Sequence, residues 1–157
     1  MKKPAWARKD LTDKVLVLEG LQDPGNLGTI LRTASALGGF SVITLGNTVS
    51  FYNRKVVRAS AGYLFLVPFL QGVTVSDLRE LGYQIWFSSP SDGTKVREAD
   101  FHSPLAVVFG SEGQGLAGGD GESGKRITIP MLSGRDSLNV AVAASLVMYE
   151  INRGAPE

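Results

Sequence analysis

The sequence predicts an α/β fold around a mainly parallel sheet. Apolar runs of strand length alternate with helical patterns almost from end to end, the pattern left by parallel strands joined through crossover helices. The runs are short and rich in β-branched residues, as strands buried on both faces are. Polar and glycine-bearing turns follow three of the runs, at strand ends, where such sheets carry their sites.

Residues 15–18 and 41–45 are the first two predicted strands. Between them Leu27, Ile30, Leu31, Ala34 and Leu37 fall on one helical face, since apolar residues three and four apart line one side of a helix. Asn26 is the expected N-cap and Gly38-Gly39 the expected stop. Arg32 falls with Thr29, Thr33 and Ala36 on the opposite side, away from the core. Residues 53–61 read as a shorter second helix, and Pro68 confines the end of the apolar run 64–70 to a sheet edge or a loop. A helix over 75–81 and strands over 84–88 and 105–109 follow. A glycine-dense loop, 110–124, leads to an apolar strand over 127–131. The chain then loops through Ser133, Gly134, Arg135 and Asp136 into a strongly apolar helix from about Ser137.

Composition narrows the function. At 157 residues the chain is one ordinary domain, with 43% apolar and 20% charged residues, the balance of a folded globular protein. It contains no cysteine, which excludes a disulfide framework, a thiolate nucleophile and a cysteine-based zinc site. The single histidine, His102, cannot build a multi-histidine metal site and reads as a surface-loop residue. No apolar run approaches the roughly 20 residues of a membrane span. The basic N-terminus lacks the apolar stretch of a secretory signal, so a cytoplasmic protein is expected. Formal net charge is only +1, yet Lys2, Lys3, Arg8 and Lys9 cluster, as do Arg54, Lys55 and Arg58. Composition alone reads both clusters as solvated surface charge.

Three segments concentrate polar chemistry. The first, residues 18–34, is a strand end, a turn and a helix start. The second, 107–116, ends a strand in glycines with one acid, Glu112, among them. It lacks the GxxxxGK[ST] of a phosphate loop, which disfavours a nucleotide-triphosphate site. The third places Ser137 and Asn139 at the start of the last helix, where unpaired N–H groups and the positive dipole end can hold a ligand. In a parallel sheet the three converge on the side where strands end.

Taken together, NxGxxxRTA at 26–34, FGSEGxGL at 109–116 and IPMxxGxxSLNVAVAA at 129–144 resemble the three motifs of the SpoU (TrmH-like) RNA ribose methyltransferases, in that family's order. These enzymes belong to the SPOUT superfamily, and the resemblance spans nearly the whole chain. It implies a single methyltransferase domain over 13–154 behind a short extension, 1–12. It also implies helices on both faces of the sheet, a deep C-terminal trefoil knot, and bound S-adenosylmethionine. It implies a homodimer formed through the knot region and the C-terminal helix, with Val142, Leu146 and Tyr149 packing in the core and across the interface. The activity it implies is methyl transfer to a ribose 2′-hydroxyl of RNA, rRNA in preference to tRNA, with no metal.

Residue by residue, the resemblance makes Asn26, Arg32, Glu112, Ser137 and Asn139 the catalytic polar set. It makes Ser88, Ser89, Gly110, Ile129, Pro130, Met131, Leu138 and Asn139 the cofactor surroundings. Arg32 is expected to reach the partner subunit's cofactor and the target phosphate. A noncatalytic RNA-binding or ribosome-assembly module on the same scaffold is the alternative of a different class. Many relatives carry a further RNA-binding domain on the N-terminal side.

Overall fold

The computed structural model describes residues 5–110 and 124–153. Among them seven strands form one parallel sheet: β1 (Lys14–Glu19), β2 (Phe40–Leu45), β3 (Phe69–Gln71), β4 (Gln84–Ser88), β5 (Thr94–Lys95), β6 (Leu105–Phe109) and β7 (Lys125–Thr128). Their order across the sheet is β3-β2-β1-β6-β4-β7-β5, and every neighbouring pair is parallel. Helices α1 (Pro24–Leu37), α2 (Arg54–Ala59), α3 (Val75–Glu80) and α4 (Val140–Arg153) accompany it.

Side chains alternate across the strands and build two cores. Leu16 and Leu18 of β1 join Leu27, Ile30 and Leu31 of α1 and Ala144 and Met148 of α4. Val15 and Val17 face the other way, against Ile43, Val108 and Leu78 of α3. Helices therefore cover both faces. Each fully buried Leu or Ile contributes about 1.5–3 kcal/mol, so the stripe on α1 is ample to hold that helix to the sheet. Before β1, Trp6 packs on the first core and Leu11 on the second.

The chain runs from β1 outward to β2 and β3, then returns to the other side, where β6 is inserted between β1 and β4. The strand order thus reverses beside β1. A crevice opens beyond the strand ends at such a point, here between β1 and β6. Both α1 and α4 start on that side and run in the same direction. Ser145 Oγ meets Thr33 Oγ1 at 3.4 Å, and Asn152 Nδ2 donates to the Leu37 carbonyl at 3.0 Å.

Several expected boundaries move, for physical reasons. Asp23, not Asn26, caps α1: its Oδ1 accepts from the N–H groups of Gly25 at 2.8 Å and Asn26 at 3.1 Å, with Pro24 at the first helical position, where its missing N–H costs nothing. The last helix starts at Val140 rather than about Ser137, because Asn139 supplies the cap. The strand expected over 127–131 is Lys125–Thr128, since an edge-side strand begins in polar residues that periodicity reads as loop. Helix α3 stops at Glu80. The two-residue β5 had no sequence signature, while β3 does lie at the sheet edge, as Pro68 required. Val142, Leu146 and Tyr149 are not in the monomer core; Ala141, Ala144, Val147, Met148 and Ile151 are.

Candidate functional site

At the crevice between β1 and β6 lies a cleft of about 340 Å³, lined among others by Glu19, Gln22, Asp23, Asn26, Gly110 and Asn139. Three distant stretches of chain meet there: the β1–α1 turn, the end of β6 and the start of α4. The sequence grouped those same stretches on the side where strands end.

The centre of the site is a pair of amides. Asn139 Oδ1 accepts from the N–H groups of Ala141 at 2.9 Å and Val142 at 3.2 Å, satisfying two of the donors that a helix start leaves unpaired. That fixes the orientation of its amide, and Nδ2 then donates to Asn26 Oδ1 at 3.1 Å. One side chain therefore caps α4 and ties it to the first turn of α1. The Asn26 Nδ2 group makes no hydrogen bond to any described residue and remains a donor for a ligand. Two helix N-termini, each with a positive dipole end, are locked side by side at the cleft.

Glu19 ends β1 on the cleft wall, and burial raises its pKa above the ordinary carboxylate value. Sequence reasoning passed over Glu19, Gln22 and Asp23. The available signal was their position at the end of the strand beside the reversal in strand order.

The other expected site residues are distributed as follows. Arg32 is exposed on α1, outside the cleft lining, and makes no hydrogen bond or ion pair with any described residue. Ser137 is exposed in the loop before α4. Glu112 lies outside the described residues. Ser88 ends β4 in register with Ile127 of β7. The Ser89 N–H donates to the Ile127 carbonyl at 2.8 Å, and its hydroxyl donates to the Asp92 carboxylate. That hydroxyl, followed by the Arg126 guanidinium at 3.0 Å, holds the Asp92 pKa below its usual value. Ile129 and Met131 are half-buried beyond β7, Pro130 is exposed, and Leu138 is half-buried next to Asn139.

The expected cofactor surroundings thus form a band along the ends of the adjacent strands β6, β4 and β7. This band shares Gly110 and Asn139 with the cleft and extends away from it. Its donor set is backbone, hydroxyl and apolar side chains, with the one carboxylate, Asp92, already paired. Such chemistry fits a flat, hydrogen-bonding heterocycle with an apolar face. Among the described residues no group of His, Asp and Glu could hold a metal ion. No helix among them is long and apolar enough to cross a membrane.

A parallel α/β domain with a polar cleft at its strand-order reversal is a small-ligand domain by architecture. The particular family follows from the sequence: the model of the SpoU rRNA Methylase family matches residues 13–149, and the chain belongs to that family. A Staphylococcus saprophyticus protein assigned to the TrmH family of tRNA/rRNA methyltransferases is 40% identical over 150 residues, covering 92% of this chain and 60% of that protein. The structure of an AdoMet-bound rRNA methyltransferase from Sinorhizobium meliloti superposes with a TM-score of 0.81 at 29% identity, covering 92% of this chain and 57% of that one. A structure described by the 2-OH methylation of C/U34 on tRNA gives a TM-score of 0.79 at 27% identity, covering 90% of this chain and 95% of that one. This chain spans about half to three fifths of the length of the curated relatives it matches.

Proposed function

We propose that the chain is an S-adenosylmethionine-dependent RNA methyltransferase acting on a ribose 2′-hydroxyl, in rRNA ahead of tRNA, in the cytoplasm. The observation that carries the reading is the Asn139–Asn26 hydrogen bond at 3.1 Å, which joins two of the family-like segments at one cleft. S-adenosylmethionine bound beside it supplies a sulfonium methyl that is already an activated electrophile, so the protein's task is alignment. Gly110, Ile129, Pro130, Met131 and Leu138, with the Ser88-Ser89 strand end, hold the cofactor through backbone groups and apolar contact. Asn26 and Asn139 orient the reacting groups, and Ser137 stands two residues before Asn139. Positioning of this kind supplies roughly 7–11 kcal/mol of a barrier.

Arg32 holds the target phosphate and polarises the hydroxyl. It is not the base, because a guanidinium does not give up its proton in proteins. The proton leaves to Glu112, to water or to a phosphate oxygen. Arg32 serves the partner subunit's site in a homodimer, a role its exposed place outside its own cleft lining allows. Val142, Leu146 and Tyr149, at 48%, 43% and 59% exposure on one side of α4, form the apolar dimer face. The chain closes a trefoil knot at β7. In support, β7 lies between β4 and β5 while the β4–β5 connection crosses it, so closely that a Cβ on Gly93 would meet the Arg126 carbonyl oxygen at 2.6 Å. Residues 13–154 make one domain, with 1–12 as an extension. The preference for rRNA rests on the likeness of residues 16–34 to the ribosomal members.

Transfer of labelled methyl from S-adenosylmethionine into separated rRNA and tRNA, with mapping of the modified nucleotide, tests the reading. Label on a ribose, mainly in rRNA, is expected; label on bases alone would overturn the ribose assignment. Arg32→Ala should lower turnover by about 100-fold or more, as loss of alignment does. Arg32→Lys should fall nearly as far, since an ammonium cannot hold a phosphate in two places. Near-normal turnover in the lysine variant would remove Arg32 from this role.

A further inference from the structure

Helix α2 carries Arg54, Lys55 and Arg58, all exposed. None of their side chains makes a hydrogen bond or ion pair with any described residue, and the first turn of α2 contains no acid. Arg54 and Lys55 stand at the helix start, where the dipole is already positive. A cation there is unfavourable for folding alone.

The position of α2 connects this face to the cleft. Gly28 of α1 lies against it so tightly that a Cβ would meet the Ala59 Cβ at 2.4 Å, with the Ser60 nitrogen and the Val56 carbonyl oxygen each at 2.9 Å. Arg32 follows Gly28 by four residues, hence on the same side of α1, next to α2. The loop before α2 is pinned to the cleft wall, for the Val49 N–H donates to the Leu21 carbonyl at 2.8 Å, and Leu21 lines the cleft. Tyr52 and Tyr63, immediately before and after the helix and its following turn, are 37% and 42% exposed. Cations flanked by exposed aromatic rings suit single-stranded nucleic acid, phosphates on the charges and bases on the rings.

We propose that the exposed face of α2 docks the RNA strand flanking the target nucleotide, with Arg54, Lys55 and Arg58 holding consecutive phosphates and Arg32 extending the track along α1. The proposal rests on the RNA-methyltransferase reading and assigns the place where its substrate lies. It also reconciles a net charge of +1 with RNA binding, because local positive charge rather than the total sets phosphate affinity.

The test is fluorescence anisotropy of a labelled single-stranded oligoribonucleotide with the full chain across a salt series, with S-adenosylmethionine affinity followed by calorimetry. The variant Arg54→Gln/Lys55→Gln/Arg58→Gln should weaken RNA binding at least tenfold at low salt. It should also flatten the log–log salt slope by about 2, since each single-strand phosphate contact contributes about 0.7. Cofactor affinity and the sedimentation coefficient should be unchanged. Arg54→Lys/Arg58→Lys keeps the charge and should keep the slope. An unaltered slope in the glutamine variant, with cofactor still bound, would overturn the docking face and leave the methyltransferase reading standing. An unaltered slope with a changed sedimentation coefficient would make the face a protein–protein surface instead. If the unsubstituted chain bound neither cofactor nor RNA, both readings would fall together.

Discussion

At Glu19 the cleft keeps a carboxylate where water is partly excluded, and burial raises its pKa above the ordinary value of 4.5. The raised value means that the folded protein holds this proton more tightly than the unfolded chain. Stability therefore falls as pH rises through the window above 4.5, and the loss is complete once the folded form has ionised. Glu19→Gln should accordingly raise the melting temperature at neutral pH, with the gain shrinking away as pH drops below 4.5. Thermal melts of both proteins across pH check this; an equal gain at every pH would assign the effect to packing. That Asn26 and Asn139 lie at helix starts beside strand ends was legible in the sequence; that their amides meet at 3.1 Å was not, because an amide at a helix start reads first as a cap. Glu19 was not, because a charge that closes a strand reads as the point where the chain leaves the core.

Elements show the same division. The apolar stripe of α1 and the fully apolar β6 were legible, since spacing alone determines which residues can be buried together. The starts of α1 and α4 were misplaced by about one turn, the first because Asp23 and Asn26 are equally good caps in sequence. Only the fold decides which one aims its oxygen at free N–H groups. Nothing in the sequence showed that α2 crosses α1 at Gly28, for a glycine inside a helix signals only low propensity. On an exposed helix Gly→Ala would stabilise. Here the added methyl meets backbone atoms of Ser60 and Val56 at 2.9 Å, which move only if α2 moves. Gly28→Ala should cost about 1–3 kcal/mol, the range for overpacking, as measured by urea denaturation. A stabilised variant would mean that α2 shifts freely.

Across the whole molecule, alternation predicted a parallel sheet but gave no strand order. Periodicity records which side of a strand is buried, not which strand lies next to it, so the insertion of β6 between β1 and β4 had to be seen. The same limit applied to α4, whose strongly apolar first three turns concealed which side faces the core. With Val142, Leu146 and Tyr149 turned outward, Leu146→Glu/Tyr149→Glu should convert the proposed dimer to monomers in sedimentation velocity while leaving the melting transition cooperative. Methyl transfer should fall with it, because Arg32 then has no partner site to serve. A dimer persisting in that variant would place the interface elsewhere.

The Asn139–Asn26 bond spans 113 residues of sequence, and this separation acts during synthesis. At about 5–20 residues per second, roughly 6–23 s pass between the synthesis of the two amides. Throughout that interval the nascent chain carries α1 without α4 and has no assembled cleft. A chain interrupted before its last helix therefore lacks the site altogether, rather than having a weaker one. The cleft is assembled only after nearly all of this sequence has been synthesised.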